Sequence, residues 1–169
     1  TPYVHAVETG LSSDPPMNWR LSALDGLQLI SNSDAHSPSK LGREANLLNC
    51  EMSYAGLKNA IETGEGLEGT IEFFPEEGKY HFDGHRKCHI CLSPAEAKRY
   101  GGICPVCKKK LTMGVSHRID QLADRPEGFI PEGRKTFESL VPLLEVIAAS
   151  TGRSAASKKV QEEYCKMVD

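Results

Sequence analysis

The sequence predicts an α/β protein that carries a small metal-binding module and ends in a helical region. Three observations predict this fold class: an apolar run followed by a polar loop at 27–36, two Cys-x2-Cys pairs between 88 and 107, and helical spacing of apolar residues at 143–152. A length of 169 residues suits one ordinary domain with an added module. We therefore expect three regions, covering residues 1–84, 85–115 and 116–169.

A strand is predicted at Leu27–Ile30, a short apolar run after Asp25-Gly26, and candidate functional residues follow it. It ends in a polar loop that contains Asp34 and His36, two residues apart. A carboxylate and an imidazole at this position can both bind a metal ion, because α/β barrels build active sites at the C-terminal ends of their strands. Both are also ordinary loop residues, so the tripeptide alone leaves both interpretations open.

A helix and a hairpin are predicted next along the chain. Ser53 suits an N-cap, and Gly64 stands where a helix C-terminal glycine belongs. Thr70–Phe74 is predicted as a strand that stops at Pro75, and 79–82 as its returning hairpin partner.

The cysteine pairs form the strongest motif in the sequence. Cys88-x2-Cys91 and Cys104-x2-Cys107 are separated by twelve residues, and two such pairs can close a tetrahedral site around one structural zinc ion. The absence of an export signal favours metal binding over disulfides. His85 and His89 lie nearby, but four cysteines already complete the expected ligand set.

The charge is distributed unevenly around this module. The whole chain has a net charge of −3, whereas residues 79–118 carry nine Lys or Arg and two Asp or Glu. A local excess of positive charge indicates an anionic partner, or else a solvated basic face. The side chains flanking the cysteines are the candidate contacts for an anionic partner: Arg86, Lys87, Lys108, Lys109 and Lys110.

Two further polar segments allow both a functional and a structural interpretation. Residues 8–20 contain acids, hydroxyls and the only tryptophan, which suits a binding loop or a helix-capping loop. Residues 114–126 contain His117 and Arg118, which suit phosphate contacts or a helix with a salt-bridged exterior. After these segments, Pro142 predicts the start of a helix closed by Gly152, and the tail 154–169 is amphipathic.

Several function classes are excluded or disfavoured by composition. No apolar stretch reaches the roughly 18 residues of a membrane span, and the start does not resemble a signal peptide. We therefore expect a cytoplasmic protein without a membrane partner. No Gly-x-x-x-x-Gly-Lys-Ser/Thr motif supports an ATP-driven motor. The chain does not begin with Met, so we expect a piece of a longer protein.

Together, these segments resemble the endonuclease Q family over nearly all of the chain to about residue 152. The motifs that carry the resemblance are Glu8–Pro15, Ser31–Pro38, Leu41–Asn46, Gly84–Cys88, the double Cys-x2-Cys, His117-Arg118 and Leu122–Pro126. The resemblance implies the C-terminal part of a PHP (polymerase and histidinol phosphatase) barrel, a zinc module and a helical C-terminal region. It also implies a metal-dependent endonuclease of DNA repair, which cleaves 5′ to deaminated bases (uracil, hypoxanthine) or abasic sites.

The resemblance assigns roles to individual residues. Asp34 and His36 match the last metal-ligand motif of a PHP site, which would hold Zn, Mg or Mn, and Glu8 lies in the right neighbourhood for catalysis. Asn18, Trp19 and Arg20 are expected to contact the DNA near the lesion. PHP sites begin with a His-x-His motif that does not occur here. We therefore expect this chain alone to be inactive, with the missing N-terminal part of the same protein as its partner.

Two other functions remain open at this point. The chain could be a non-enzymatic zinc-ribbon piece that binds nucleic acid, or part of a PHP phosphatase acting on a small phosphoester. The basic zinc module disfavours the phosphatase, because a small substrate does not need an extended positive surface.

Overall fold

The computed structural model describes residues 3–168 and confirms the predicted mixed α/β class. Seven short strands, six α-helices and four short 3-10 helices account for the regular structure of these residues. The strands are β1 (Ala6–Glu8), β2 (Gln28–Ile30), β3 (Ala45–Leu48), β4 (Leu67–Glu72), β5 (Asp83–His85), β6 (Ile90–Leu92) and β7 (Thr136–Ser139). The helices are α1 (Pro15–Trp19), α2 (Tyr54–Thr63), α3 (Pro94–Arg99), α4 (Val115–Leu122), α5 (Leu143–Thr151) and α6 (Lys158–Val168).

The strands of the first region lie in two sheets that meet through side chains. β1 runs parallel to β2, while β4 pairs antiparallel with β3 and parallel with β7. Asn46 joins the two sheets, because its amide accepts from the Ser31 N–H (3.0 Å) and donates to the Ser31 carbonyl (2.8 Å). The Thr9 and Ser31 hydroxyls, just after β1 and β2, both reach Glu72 at the end of β4. The C-terminal ends of these three strands therefore lie together.

The predicted hairpin is wrong. β4 begins at Leu67 and ends at Glu72, and residues 79–82 form no strand. The chain turns away at Pro75–Glu77, and Gly78 lies so close to residue 11 that a Cβ there would stand 2.3 Å from the Leu11 carbonyl oxygen. β3 and β7 occupy the two edges of β4, so no edge remains for a hairpin partner.

The predicted helix after Ser53 is confirmed. The Ser53 hydroxyl accepts from the Gly56 N–H (3.0 Å), and Gly64 ends the helix with φ at +78°. That left-handed conformation is the one that favours glycine at a helix terminus.

The C-terminal region is helical, as predicted, and it also supplies a strand. α5 and α6 pack through Ile147, Ala148 and the fully buried Val160. Because β7 precedes α5 and pairs with β4, residues 116–169 are joined to the first region through the sheet. No helix among the described residues is long and apolar enough to cross a membrane. The division into three regions stays a prediction.

Candidate metal sites and nucleic-acid interface

Four side chains of the zinc module converge on one point. The ligand atoms of His85, Cys88, Cys104 and Cys107 all lie within 4.8 Å of one another. Cys104 is fully buried in a small core with Ala97, which Cys88 and Cys107 also contact. Three thiols and one imidazole at this spacing suit a closed tetrahedral zinc site.

This group differs in one member from the predicted four-cysteine set, because the structure places His85 and not Cys91 beside the other three ligands. Which of the two residues completes the metal site stays a prediction. The β5–β6 pairing explains the exchange. Cys91 lies opposite Gly84, while His85 lies opposite Ile90. Successive residues of a strand point to opposite faces. His85 therefore shares the inner face with Ile90, which packs on the module core, and Cys91 is left exposed.

The thiols of this group have unequal acidities. Burial raises the pKa of Cys88 to about 11, reinforced by its contacts with the other two thiols. Burial also acts to raise the pKa of Cys104, but hydrogen bonds from the Cys107 and Val106 backbone N–H groups outweigh it and lower that pKa. The Cys104 thiol therefore releases its proton more readily than the Cys88 thiol, whose proton a bound metal ion must displace.

The candidate DNA contacts around the cysteines all reach the surface. Arg86 and Lys87 precede Cys88 in a 3-10 turn, and the three lysines 108–110 follow Cys107; all five side chains are exposed. Lys108 has a left-handed backbone (φ +61°), and its ammonium donates to the Pro105 carbonyl (3.0 Å). These residues form what we call the basic surface: Arg86, Lys87, Lys108, Lys109 and Lys110.

Asp34 and His36 lie on the open loop that follows β2. The Asp34 Oδ1 is 3.8 Å from the His36 Nδ1, and the two side chains are 73% and 86% exposed. Asp34 has φ at +46°, a conformation that is uncommon outside glycine. Glu8 ends β1 opposite Ile30 of β2 and is also exposed. The three residues therefore follow or end neighbouring parallel strands.

Two buried carboxyl groups lie beside this loop and were not singled out from the sequence. Glu72 is fully buried and accepts hydrogen bonds from the hydroxyls of Thr9 (2.8 Å), Thr70 (2.5 Å) and Ser31 (3.3 Å). Glu44, 3% exposed, precedes β3 and accepts only a long bond from the Phe73 N–H (3.4 Å). A lone glutamate inside the apolar run 71–74 was the sequence signal for Glu72.

The environment of these acids shifts their titration. Burial raises the pKa of Glu44 to about 7, opposed by the Phe73 N–H and reinforced by the negative charges of Glu72 and Glu8. The second Glu44 oxygen, Oε2, has no hydrogen-bond partner among the described residues. Burial also raises the pKa of Glu72, although its three hydroxyl donors oppose the shift.

Two residues expected to contact DNA are instead held within the protein. The His117 Nδ1 lies 2.5 Å from an oxygen of the buried Asp83, and the Arg20 guanidinium donates to Asp120 at 2.7 Å. Both interactions tie α4 to neighbouring elements, so the structural interpretation of 114–126 is correct for His117. Arg118 is exposed and bonds only to Gln121 of its own helix, which leaves it accessible.

Asn18 and Trp19 lie in α1, which Asp14 caps by accepting from the Met17 N–H (2.9 Å). The capping interpretation of this loop is therefore correct. The Asn18 amide donates to the Ser13 hydroxyl and the Asp14 carbonyl. Both Asn18 and Trp19 also line a cavity of about 460 Å³.

Comparison with known proteins gives matches over most of the chain. No family model matches it. An uncharacterised protein of Methanocaldococcus jannaschii is 36% identical over 95% of this chain, which covers 22% of that protein. An uncharacterised protein of Bacillus subtilis is 33% identical over 83% of the chain, which covers 35% of that protein.

Two solved structures resemble the fold closely. The lesion-specific endonuclease Q of Pyrococcus furiosus matches with a TM-score of 0.80 and 30% identity, over 97% of this chain and 42% of that one. Endonuclease Q in complex with a 27-mer duplex carrying an abasic lesion at the active site matches with a TM-score of 0.79 and 31% identity, over 93% and 40%. The chain thus spans less than half the length of each of these four proteins. The resemblance predicted from the motifs is confirmed.

Proposed function

We propose that this chain, a member of the endonuclease Q family by sequence motifs and fold, is the C-terminal part of a metal-dependent DNA endonuclease of DNA repair. The observation that supports this most directly is the match to a lesion-specific endonuclease across 97% of the chain. The proposed reaction is hydrolysis of the phosphodiester 5′ to a deaminated base (uracil, hypoxanthine) or an abasic site.

The loop after β2 is the proposed catalytic edge. Asp34 and His36 offer a carboxylate and an imidazole on one exposed loop, where they would hold one Zn, Mg or Mn ion. The His36 Nδ1 donates to the Asp34 carbonyl oxygen at 2.8 Å, which leaves Nε2 as the nitrogen that can bind the metal. A divalent ion there supplies positive charge that activates water and neutralises the phosphate. The uncommon backbone of Asp34 supports a functional role, because such conformations concentrate at active sites. Glu8 ends the neighbouring strand and is proposed to act at the same edge.

The basic surface is the proposed DNA-backbone contact. Its five exposed cations flank the ligands His85, Cys88 and Cys107, so zinc would fix the two turns that carry them. Phosphate contacts require only positive charge in the right place and carry no sequence information. Arg118 is proposed to extend this contact, and Asn18 and Trp19 remain candidates for base contact. Arg20 and His117 are not proposed as contacts, because Asp120 and Asp83 hold them.

A nucleic-acid-binding piece without its own activity is the second candidate for the isolated chain. The zinc ligands are complete within the described residues, whereas Asp34, His36 and Glu8 supply only part of a catalytic ligand set. We therefore expect residues 1–169 alone to bind DNA without cutting it.

The decisive experiment uses the full-length protein that carries this segment and a duplex with one uracil. Asp34→Asn is expected to abolish cleavage and leave DNA binding unchanged, because it removes a proposed metal ligand and no part of the basic surface. Glu65→Gln, which changes an exposed carboxylate elsewhere, serves as the matched control. Full cleavage by the Asp34→Asn protein would disprove the proposed catalytic edge.

A further inference from the structure

A cavity of about 460 Å³ lies at the opposite end of the sheet from the Asp34–His36 loop. Gln28 and Thr136, the first residues of β2 and β7, line it, as does Gly64 after α2. The catalytic edge follows the last residue of β2. The cavity is therefore separate from the proposed cleavage site, and its volume falls within the range of about 300–1,000 Å³ seen for small-molecule sites.

One wall of the cavity is an aromatic surface with a cation above it. The Arg134 guanidinium lies 5.2 Å from the centre of the Trp19 ring, and Phe137 meets that ring edge-on at 5.8 Å. At 5.2 Å the guanidinium lies within the roughly 6 Å of the ring centre at which a cation is attracted to the face of an aromatic ring. The ring offers Arg134 no negative charge, so an anion can still pair with it.

The three cations that line the cavity differ in their partners. Arg125 is neutralised by both oxygens of Asp25, and the Lys135 ammonium donates to the Gly64 carbonyl at 2.8 Å. Arg134 lies within ion-pair distance of no carboxylate among residues 3–168. It is therefore the cation of this cavity that remains available to a ligand.

We propose that this cavity binds one unpaired nucleotide of a DNA strand, with the base against Trp19 and the phosphate on Arg134. An aromatic ring beside an unpaired cation is the combination that proteins use for single-stranded nucleic acid, since every base has a face to stack and every nucleotide a phosphate. An apolar ligand would leave Arg134 and Lys135 without an anionic partner. This inference rests on the proposed function, which supplies a DNA strand as the ligand.

Trp19 is the only tryptophan of the chain, so its fluorescence reports directly on the cavity. The experiment titrates the chain with thymidine 5′-monophosphate and, separately, with inorganic phosphate. The nucleotide is expected to quench Trp19 along a saturating curve. Arg134→Ala is expected to weaken nucleotide binding by about tenfold, the effect of losing one charged hydrogen bond. Arg153→Ala removes an exposed arginine that does not line the cavity and is expected to have no effect.

Three results would overturn the inference: quenching that does not saturate, equal weakening by Arg134→Ala and Arg153→Ala, or inorganic phosphate binding as tightly as the nucleotide. The last result would mean that the base is not recognised. Cleavage by the full-length protein separates this inference from the proposed function. Intact cleavage without saturable quenching disproves the cavity alone, whereas saturable quenching without cleavage disproves the nuclease alone.

Discussion

Replacing Glu44 with glutamine should remove a pH dependence of stability that the buried carboxyl creates. The pKa of Glu44 rises from 4.5 to about 7 in the fold. Between these values the folded chain holds a proton that the unfolded chain has released. The free energy of unfolding therefore falls as the pH rises from 4.5 to 7 and stays low above 7. At about 1.4 kcal/mol per pH unit, the loss due to Glu44 is about 3 kcal/mol.

Glutamine has nearly the same shape and keeps an oxygen to accept from the Phe73 N–H, but it cannot lose a proton. The Glu44→Gln chain should therefore be more stable than the wild type above pH 7, by an amount on the order of 1–3 kcal/mol. Below pH 4.5 the two chains should be nearly equal. Urea unfolding at a series of pH values, followed by circular dichroism, measures the difference.

Glu127→Gln is the matched control, because Glu127 is exposed and its replacement should leave the pH profile unchanged. The pKa of Glu72 is also raised by burial, so Glu72 contributes a further decrease in stability as the pH rises. The stability of the Glu44→Gln chain should therefore still fall with pH, but less than that of the wild type. The reasoning is refuted if both chains lose the same stability between pH 4.5 and 7, or if the glutamine chain is the less stable one above pH 7.

The remaining predictions concern the metal group, the basic surface and the helical packing. Cys91→Ser should leave one zinc per chain, whereas His85→Ala should reduce the zinc content after mild chelation. The opposite result, with zinc lost from Cys91→Ser and kept by His85→Ala, would restore the four-cysteine set. Replacing the lysines at 108–110 with uncharged residues should reduce the slope of log K for DNA binding against log salt concentration by about 0.9 per lost phosphate contact. The same change at Lys158, Lys159 and Lys166 should leave that slope unchanged. Binding measured at a series of salt concentrations gives both slopes. Asp83→Asn should cost about 1–3 kcal/mol in urea unfolding, because it weakens the buried bonds to His117 and Gly114. Val160→Ala should cost a similar amount, by loss of buried methyl groups between α5 and α6; no measurable change would mean that these helices do not pack as described.

The elements that the sequence predicts correctly are those with local signals at both ends. Ser53 and Gly64 each fix one terminus of α2 through the backbone groups next to them. Gly152 does the same for α5. The predicted hairpin failed because its evidence was a turn, and a turn does not determine which strands pair. The partners of β4 come from 45–48 and 136–139, and no local pattern connects such distant segments.

The candidate site shows the same division between local and distant information. The spacing of the cysteines predicts a metal module, but it does not determine which face of a strand each side chain occupies. The register of β5 on β6 decides that His85 points inward and Cys91 outward. Glu44 and Glu72 become a buried pair only because the start of β3 and the end of β4 lie side by side.

Helix α4 explains why the segment 114–126 suggested two interpretations at once. Its first turn is tied to the zinc module, since Asp83 of β5 bonds to both Gly114 and His117. The last turn of α4 and the residues just after it contact the C-terminal end of α1 and the turn after α1. Arg20 donates to Asp120, and the Ser22 N–H donates to Asp124. The dense charge therefore serves mainly to join the metal module to the sheet region, and Arg118 is left on the outer side.

A basic surface held in this way keeps a fixed position relative to the ends of β1 and β2. The proposed nuclease function would require such an arrangement, because a phosphate bound by the basic surface would have to lie a set number of nucleotides from the phosphate that is cut.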